Sequence, residues 1–527
     1  MDDLKMQKQT LKKAYKKTKR KHITPWKILA IICAVVMIVS IPLSILLQKF
    51  DNTMAARFGG SFWKLQNEDA NAQYYTSDFN SAEEMVNYGL ALTQQVEAEG
   101  AALLMNNNNA LPLAADAKVS TFSSSSVNLV YGGTGSGNID ASTADTLRTA
   151  LEKVGVTVNP TLWDFYTVGA GKDYARSKSG TVAKSSEVTA EVPWDVYTDE
   201  VKDSVAQYGD AAIVTLSRVG GEGADLSYGE VNYLALDENE KAMLQNVAEM
   251  KKNGTVKKTI LLINSANALQ VDFLKNNEYD IDAALWIGDV GISGINAVAE
   301  ILTGKVNPSG SFSAPAMWNF TPTTYEGYVE GGDVSAKAKS YMIYQEGIYV
   351  GYKYYETRYE DFVTGNGNAG DYAYGDIVAY PFGYGMSYTD FDISDMNVSY
   401  NAADDTYTVT VKVTNTGDMA GKKTVQVYVQ SPYTDYDKQN GVEKSAVSLV
   451  GFGKTGMIEP GASETLSMTV NKRDIASYDT YGAGTYILDA GDYYFTAATD
   501  AHNAVNNILA AKGYTVESTN GKMTADG

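Results

Sequence analysis

The chain has 527 residues and a net charge of −20, with 63 acidic residues but only one cysteine and two histidines. A Ser-His-Asp triad, a Cys-His pair and a His/Cys zinc site need residues that are almost absent, and one cysteine excludes a disulfide framework within the chain. The acidic balance argues against nucleic acid as a partner, because it leaves no basic stripe to neutralise phosphates. If the chain is an enzyme, carboxylates are the expected catalytic groups, and the length allows two or three domains.

The first 50 residues combine a basic cluster with an apolar segment. Residues 1–27 carry ten Lys and Arg against Asp2 and Asp3, and residues 28–47 are predominantly apolar and uncharged. Twenty such residues suffice to cross a bilayer as a helix, which Pro42 is expected to kink. The positive-inside rule then predicts a cytoplasmic tail at 1–27, a single transmembrane helix at 28–47 and extracellular domains after it. A cleaved signal peptide is the alternative, although the apolar run is long and no good cleavage site follows.

A polar stalk at 48–80 precedes a region that alternates strands with helices. Ser81 and Glu84 form a capping-box pattern ahead of a helix that runs to about residue 99. A second helix, capped by Asp237 and Glu240, lies between two apolar runs. Strands followed by helices indicate βαβ units around a mostly parallel sheet. The predicted buried strands are Val119–Phe122, Ala211–Leu216, Thr259–Ile263 and Ala283–Ile287.

The pattern changes near Tyr388 to strict alternation of apolar and polar residues. Val409, Val411 and Val413 alternate with polar neighbours, and the run around Val427 repeats the pattern. Period two between turns is typical of half-buried antiparallel strands. Roughly 110 residues of this kind predict a small β-sandwich.

An acidic residue stands among glycines directly after the strand predicted at 211–216. Residues 217–226 read Ser-Arg-Val-Gly-Gly-Glu-Gly-Ala-Asp-Leu, and the acidic residue is Glu222. Glycines let the backbone approach a ligand closely, and loops after strands are where α/β proteins place functional groups. An ordinary turn with a solvated glutamate is the alternative interpretation. A glycine-rich stretch at 132–137 lacks the Lys-Ser/Thr of a phosphate loop and is interpreted as a flexible loop beside a site.

Five ordered motifs resemble the family 3 glycoside hydrolases over about residues 78–500. The resemblance implies an (α/β)6 sandwich domain at 81–387, followed by an immunoglobulin-like, fibronectin-type-III-like β-sandwich at 388–503. The motifs are Glu-Gly-x-x-Leu-Leu-x-Asn at 99–106, Gly-Glu-Gly-Ala-Asp at 221–225, Asn-Pro-Ser-Gly at 307–310, the run at 344–352 and the aromatic-glycine turn at 381–388.

Members of this family hydrolyse glycosides with retention, so the resemblance implies a β-glucosidase-like enzyme in which two carboxylates flank the bond of a glycoside or oligosaccharide. The acid/base glutamate of the family maps onto Glu222, and Arg218 and Asp225 are the candidate substrate-binding residues. No metal and no cofactor is implied. The nucleophilic aspartate of the family belongs to a TIM barrel with a Ser-Asp-Trp-like motif, and Ser-Asp-Trp does not occur in this sequence.

The tail at 504–527 resembles the connector of inverted-order members, in which the barrel comes last. The chain is therefore interpreted as the front part of a longer enzyme, completed by a TIM barrel in cis or in trans. Leu226, Ser293 and Ser311 stand where the family commonly has Arg, an acidic residue and Arg, so the fine structure of the sugar site is left open. The alternative function is a non-catalytic surface protein whose domains bind carbohydrate or another partner.

Overall fold

The computed structural model describes residues 2–49, 77–133, 137–176, 190–220, 233–313, 316–317, 328–331, 341–344, 347–367 and 369–527. The chain divides into two compact units, Met1–Asn80 and Ser81–Gly527. The first unit holds one long helix, and the second holds an α/β domain and an antiparallel β-sandwich.

The helix of the first unit, α1, spans Asp2–Lys49. It contains the predicted apolar segment at 28–47 and is long and apolar enough to cross a membrane, by length and composition alone. The basic residues before that segment belong to the same helix, which the sequence pattern did not predict. Pro25 and Pro42 both lie inside α1, and the kink expected at Pro42 stays a prediction.

A six-stranded sheet forms the centre of the α/β domain. Its strand order is β1-β6-β5-β4-β2-β3, and only the edge strand β1 runs antiparallel to its neighbour. The four predicted buried strands are β2, β4, β5 and β6, so the prediction of a mostly parallel sheet is confirmed. The strands are β1 (Ala102–Asn106), β2 (Lys118–Phe122), β3 (Thr157–Val158), β4 (Ala211–Arg218), β5 (Thr259–Ser265) and β6 (Ala283–Trp286).

Helices connect these strands, and two of them begin at the predicted caps. The Ser81 side chain accepts a hydrogen bond from the Glu84 backbone at the start of α2, and Asp237 and Glu240 form a complete capping box at the start of α7. The helices are α2 (Ala82–Gly100), α3 (Ser124–Val127), α4 (Leu147–Lys153), α5 (Pro160–Thr167), α6 (Asp199–Ser204), α7 (Glu238–Lys252), α8 (Asp272–Lys275) and α9 (Gly294–Leu302).

Both faces of the sheet are buried. Successive residues of β5 enter different apolar clusters: Leu261 packs in the cluster that contains Met243 of α7, and Leu262 packs in the cluster that contains Val298 of α9. Side chains alternate across a strand, so a strand covered by helices on both sides must be apolar at every position. This explains why β4 and β5 read as continuous apolar runs in the sequence.

A connecting region joins the sheet to the β-sandwich. Gly383, in the aromatic-glycine segment, has a φ of +91°, and a Cβ atom there would lie 2.1 Å from the Gln426 side-chain oxygen. Only glycine fits this approach of one domain to the other. The elements of the region are β7 (Ala316–Met317), β8 (Tyr328–Gly331), β9 (Tyr341–Tyr344), α10 (Tyr352–Thr364) and β10 (Val378–Tyr380).

The predicted β-sandwich consists of two antiparallel three-stranded sheets, β11-β12-β15 and β14-β13-β18. Val409, Val411 and Val413 of β12 face Val425 and other apolar residues of the opposite sheet in one core. The elements are β11 (Phe391–Asn401), β12 (Thr406–Asn415), β13 (Thr424–Gln430), α11 (Asp435–Asn440), β14 (Ser448–Lys454), β15 (Ser463–Asn471), β16 (Ser477–Asp479), β17 (Thr485–Ile487), β18 (Tyr494–Ala498) and α12 (Ala501–Ala511).

The expectation of half-buried strands is wrong for β13. Its polar side chains Gln426, Tyr428 and Gln430 are buried as well, because α10 and α12 cover the outer face of the strand. Hydrogen bonds compensate this burial: Gln426 Nε2 donates to the Gly383 carbonyl at 3.0 Å, and Tyr428 Oη donates to Gln426 Oε1 at 2.6 Å. The helices that cover β13, and not the period-two pattern of its sequence, therefore decided that both of its faces are buried.

The polar segment predicted to be a connector, 504–527, packs against α10. Met523 is buried, and the Thr524 backbone N–H donates to Tyr359 Oη at 2.8 Å. His502 Nδ1 lies 2.9 Å from the Glu356 carboxylate, and its Nε2 lies 2.7 Å from Thr524 Oγ1. These contacts tie the segment to the helix that leads into the sandwich.

Candidate active site

The topology of the sheet places the candidate site between β2 and β4. The strand that follows β2 in the chain lies on one side of it, while β4 and β5 lie on the other side. Loops that leave the carboxyl ends of such neighbouring strands diverge and open a crevice, which is where open α/β sheets bind ligands. Glu222 follows β4 in the chain, so the loop that the sequence predicts around Glu222 would begin at this point of the fold.

Glu222 and Asp225 themselves lie outside the described residues, which end at Gly220 and resume at Tyr233. The glycine-rich stretch predicted to lie beside the site is described in part, and a Cβ atom at Gly133 would lie 3.9 Å from the Gly220 carbonyl. The two glycine-containing loops thus start within contact distance of each other. Their proximity agrees with the predicted neighbourhood, and the flexibility of the stretch stays a prediction.

Arg218, predicted to bind substrate, is fully buried and is not exposed to solvent. Its guanidinium forms a bidentate pair with Glu240, with both N···O distances at 2.8 Å. Three further donations reach the carbonyls of Tyr233 at 2.5 Å, Ser217 at 2.9 Å and Ala235 at 2.6 Å. Because an arginine has five N–H donors and all five are used, none remains for a sugar hydroxyl. The Arg218 guanidinium therefore binds groups of the protein itself instead of the substrate that the sequence predicted.

Glu240 owes its position to the start of α7. It is the third residue of that helix, and its carboxylate accepts the backbone N–H of Asp237 while also pairing with Arg218. Burial lowers the pKa of Arg218, but the charge of Glu240 and its hydrogen bonds outweigh burial and hold that pKa above its ordinary value. The Arg218 guanidinium thus stays charged although the pair is sealed from solvent.

Asn264, near the end of β5, organises the neighbouring loops. Its Oδ1 accepts the backbone N–H of Val130 at 2.6 Å and the Ser217 hydroxyl at 3.0 Å. Its Nδ2 donates to the carbonyls of Val130 at 3.0 Å and Gly288 at 2.6 Å. One buried amide therefore joins the loops that follow β2 and β6 to the strand between them. The sequence contained no signal for this role beyond an asparagine at the end of an apolar run.

A cavity of about 330 Å³ opens at the same edge of the sheet, beyond the ends of β5 and β6. Glu97 of α2 and Asp289 of the loop after β6 line it, together with Trp286 and Phe312. Burial, and secondarily the charge of Asp289, raises the pKa of Glu97 to about 8. Burial raises the pKa of Asp289 to about 6. Sequence reasoning missed this pair, because 192 positions separate the two residues and neither belongs to a recognised motif.

A third carboxyl with a raised pKa lies at the end of β2. Glu191 is buried, and burial raises its pKa to about 8 although hydrogen bonds from Ser123, Val192 and Ser124 oppose the shift. Strongly shifted carboxyl groups cluster at functional sites because enzymes need acids that stay protonated at neutral pH. The carboxyl edge of the sheet is therefore the chemically distinctive edge of this domain.

Two family models match parts of this chain. The family model "Glycosyl hydrolase family 3 C-terminal domain" matches residues 101–352, and the model "Fibronectin type III-like domain" matches residues 423–501. Over residues 101–352 the chain is similar to glycosyl hydrolase family 3. It carries the C-terminal domain of that family, and the predicted α/β sandwich and fibronectin-like domain are confirmed.

Similar proteins include β-glucosidases. The chain is 31% identical over 418 residues to a β-glucosidase of Ruminococcus albus, a match that covers 78% of this chain and 39% of the relative. It is 30% identical over 453 residues to β-glucosidase A of Butyrivibrio fibrisolvens, covering 79% of this chain and 50% of the relative. The chain thus spans half or less of the length of these curated relatives.

Solved structures of β-glucosidases are also similar to this chain. β-Glucosidase 3B of Thermotoga neapolitana in complex with α-D-glucose superposes with a TM-score of 0.65 at 26% identity, over 80% of this chain and 54% of that one. A β-glucosidase of Paenibacillus barengoltzii superposes with a TM-score of 0.62 at 28% identity, over 79% of this chain and 42% of that one. Both similarities cover most of this chain and about half of each enzyme.

Proposed function

We propose that this chain forms the α/β and fibronectin-like part of a membrane-anchored, retaining β-glycosidase of the β-glucosidase type, with Glu222 as general acid/base. The observation that supports the proposal is the origin of its loop at the carboxyl end of β4, next to the point where the strand order reverses. The family match and the β-glucosidase relatives supply the reaction class.

In the proposed mechanism, Glu222 first donates a proton to the departing glycosidic oxygen. A carboxylate nucleophile attacks the anomeric carbon, and the resulting glycosyl-enzyme is hydrolysed by water that Glu222, now a carboxylate, deprotonates. The two carboxyl groups of a retaining enzyme stand about 5–5.5 Å apart. We propose that a TIM-barrel domain, in the same polypeptide or in a separate chain, supplies the nucleophile. The chain's own part is to carry the acid/base loop and to orient it.

The anchoring part of the proposal rests on α1. Its apolar segment at 28–47 would span the bilayer, with the basic residues of 1–27 on the cytoplasmic side and the α/β domain at 81–387 and the fibronectin-like domain at 388–503 outside. Protease added to intact cells should degrade an epitope placed after Gly527 and spare one placed before Asp2. Release of the chain by an alkaline wash without detergent would refute the anchor.

The catalytic part is tested with the full chain in detergent, assayed on 4-nitrophenyl β-glucoside alone and with a family 3 barrel domain added. We expect negligible hydrolysis by the chain alone. With the barrel, Glu222→Gln should reduce turnover by roughly 10²–10⁴-fold, which is the usual contribution of general acid/base catalysis. Glu238→Gln, at a highly exposed position of α7, is the matched control and should leave turnover unchanged. Full activity in Glu222→Gln would refute the assignment.

A second candidate function is non-catalytic carbohydrate binding, which exposed tyrosines of the fibronectin-like domain favour. The hairpin β16–β17 and its turn expose Tyr478, Tyr481 and Tyr486 at 52%, 81% and 69%. The Asp479 carboxylate accepts two backbone N–H groups of the turn and thereby fixes its shape. Rigid rings with an apolar face and a polar tip are suited to stack on sugar rings.

Retention on insoluble β-glucan distinguishes the two functions. A binding protein should be retained by the polymer without releasing sugar, and the double variant Tyr481→Ala/Tyr486→Ala should be retained more weakly. Tyr436→Ala is not a suitable control, since Tyr436 Oη bonds to Asp479 at 2.7 Å and supports the turn. Tyr400→Ala on the distant strand β11 serves instead. Equal retention of all three proteins would refute the binding function.

A further inference from the structure

Two ends of one loop meet at a single buried ion pair. Arg218 is the last residue of β4, and Tyr233 and Ala235 stand where the described chain resumes after the Glu222 loop. The Arg218 guanidinium donates to both of those carbonyls while it pairs with Glu240. The outgoing and returning stems of the loop are therefore joined through one side chain.

A second contact reinforces the same junction. The Val219 backbone N–H donates to Tyr233 Oη at 2.8 Å, and the Tyr233 ring lies 5.4 Å from the Arg218 guanidinium carbon. Tyr233 thus touches the outgoing stem with both its hydroxyl and its ring. These contacts fix the distance and the direction between the two stems, independently of what the loop itself does.

The chemistry of arginine explains why this residue type stands here. Only a planar guanidinium offers two parallel donors for a carboxylate and three more for carbonyls in one rigid plane. A lysine could keep the charge opposite Glu240, but its single ammonium cannot reach the carboxylate and the three carbonyls together. The full use of the five donors is a sign that the site is built for this geometry rather than for charge alone.

We infer that Arg218, held by Glu240, is a positioning residue that sets the orientation of the Glu222 loop by clamping its two stems. The inference rests on the proposed function of Glu222 and goes beyond it, because it assigns the alignment of the acid/base to a pair that does not touch substrate. Loss of the clamp should leave the fold in place and let the loop depart from the geometry that proton transfer requires.

The general alternative is that Arg218 and Glu240 only stabilise the domain. The fibronectin-like domain offers a matched pair for that case: Lys444 pairs with Asp437 at 2.8 Å, and its side chain is 5% exposed against 0% for the aspartate. That pair is equally buried and contacts no part of the α/β site loops described. A variant there should lower the melting temperature without any effect on the stems at 219 and 233.

Hydrogen exchange on the full chain in detergent separates the two cases. In Arg218→Lys, and in the double variant Arg218→Met/Glu240→Leu, we expect the amides of 216–236 to exchange at least about tenfold faster than in the native chain. The apolar double variant removes both charges together, so it should melt at a higher temperature than Glu240→Ala while the clamp stays lost. Lys444→Met should leave the exchange of 216–236 unchanged. Unchanged exchange in both Arg218 variants would overturn the inference.

Leaving-group dependence supplies a catalytic readout in the presence of the barrel domain. If the acid is misplaced, hydrolysis of methyl β-glucoside should slow by about tenfold or more beyond the slowing of 2,4-dinitrophenyl β-glucoside hydrolysis. The methanol leaving group needs a proton from the acid, whereas 2,4-dinitrophenolate leaves without one. Glu222→Gln should show the same discrimination more strongly. Equal losses on both substrates in Arg218→Lys would overturn the inference. Absence of discrimination in Glu222→Gln would instead refute the proposed function, so the two failures are distinguishable.

Discussion

The two domains of the second unit treat buried charge in opposite ways. In the α/β domain, Glu97, Glu191 and Asp289 lie at one edge of the sheet, and burial raises the pKa of each carboxyl. In the fibronectin-like domain, burial opposes but the Lys444 ammonium and other donors outweigh it, so the pKa of Asp437 is lowered. Burial therefore decides the pKa of these three carboxyls at the sheet edge, whereas a lysine decides that of Asp437.

The largest effect is expected from breaking the one fully paired charge at the site edge. Glu240→Ala leaves the Arg218 guanidinium buried without its counter-ion, which should lower the free energy of unfolding by roughly 3–5 kcal/mol. Urea titration followed by circular dichroism measures the change. Glu238→Ala, two residues away in α7 and highly exposed, is the control and should change stability by less than about 0.5 kcal/mol. Similar effects of the two changes would mean that the pair contributes nothing specific.

The raised pKa of Glu97 predicts a pH dependence of the opposite sign to that of Asp437. Its folded pKa of about 8 lies above the ordinary value of 4.5, so the folded state keeps a proton that the unfolded state loses. Stability should therefore fall as the pH rises from about 4.5 to 8. Glu97→Gln should match the native chain at pH 4 and exceed its stability by roughly 2–4 kcal/mol at pH 8. Denaturation at both pH values measures the difference.

Asp437 provides the contrast within the same experiment. Its folded pKa is lowered, so its contribution to stability is present above the ordinary pKa of 3.8 and is lost as the pH falls further. Asp437→Asn should destabilise the chain at pH 7 and lose that effect at low pH. If Glu97→Gln and Asp437→Asn responded to pH in the same direction, the distinction between the two domains would be wrong.

A smaller effect is expected where the domains meet. Gln426→Ala removes the donor to the Gly383 and Thr499 carbonyls and the acceptor of the Tyr428 hydroxyl, all of which are buried. We expect a loss of about 1–3 kcal/mol and a broader calorimetric transition, because the two domains unfold less cooperatively without this link. The exposed Gln439→Ala should leave the transition sharp. A sharp transition in both variants would show that the domains are coupled elsewhere.

The smallest effect concerns the second contact of the clamp. Tyr233→Phe removes the acceptor of the Val219 N–H and keeps the carbonyl that Arg218 uses. It should cost about 1 kcal/mol. Exchange of the Val219 amide should become faster, while that of β12 in the other domain should not change. A global loss as large as that of Glu240→Ala would contradict a local role.

Sequence patterns predicted the helices and strands that depend on interactions within a few residues. The capping pairs Ser81–Glu84 and Asp237–Glu240 marked the starts of α2 and α7, because a cap is satisfied within four residues. The apolar runs of β4 and β5 predicted buried parallel strands, because such strands are covered on both faces. Glu222 follows β4 in the chain, and the glycine-flanked loop expected around it stays a prediction.

Contacts between distant parts of the chain could not be predicted in this way. Arg218 was assigned to substrate because it precedes the motif, yet its partner Glu240 lies 22 positions further on and already had an apparent role as a helix cap. Glu97 and Asp289 had no pattern to connect them, and the buried outer face of β13 depends on α10 and α12. In each case the deciding neighbour comes from another element.

The sequence by itself determined the order of the elements, the two domains, the apolar segment of α1 and the position of Glu222, in a predicted loop, after β4. Periodicity, caps and glycines act over a few residues, so they can be read without the fold. Only the tertiary structure decided that Arg218 joins the stems of that loop and that three carboxyls at the sheet edge have raised pKa values. Burial and charge partners depend on which elements meet, and the packing of the sheet brings them together.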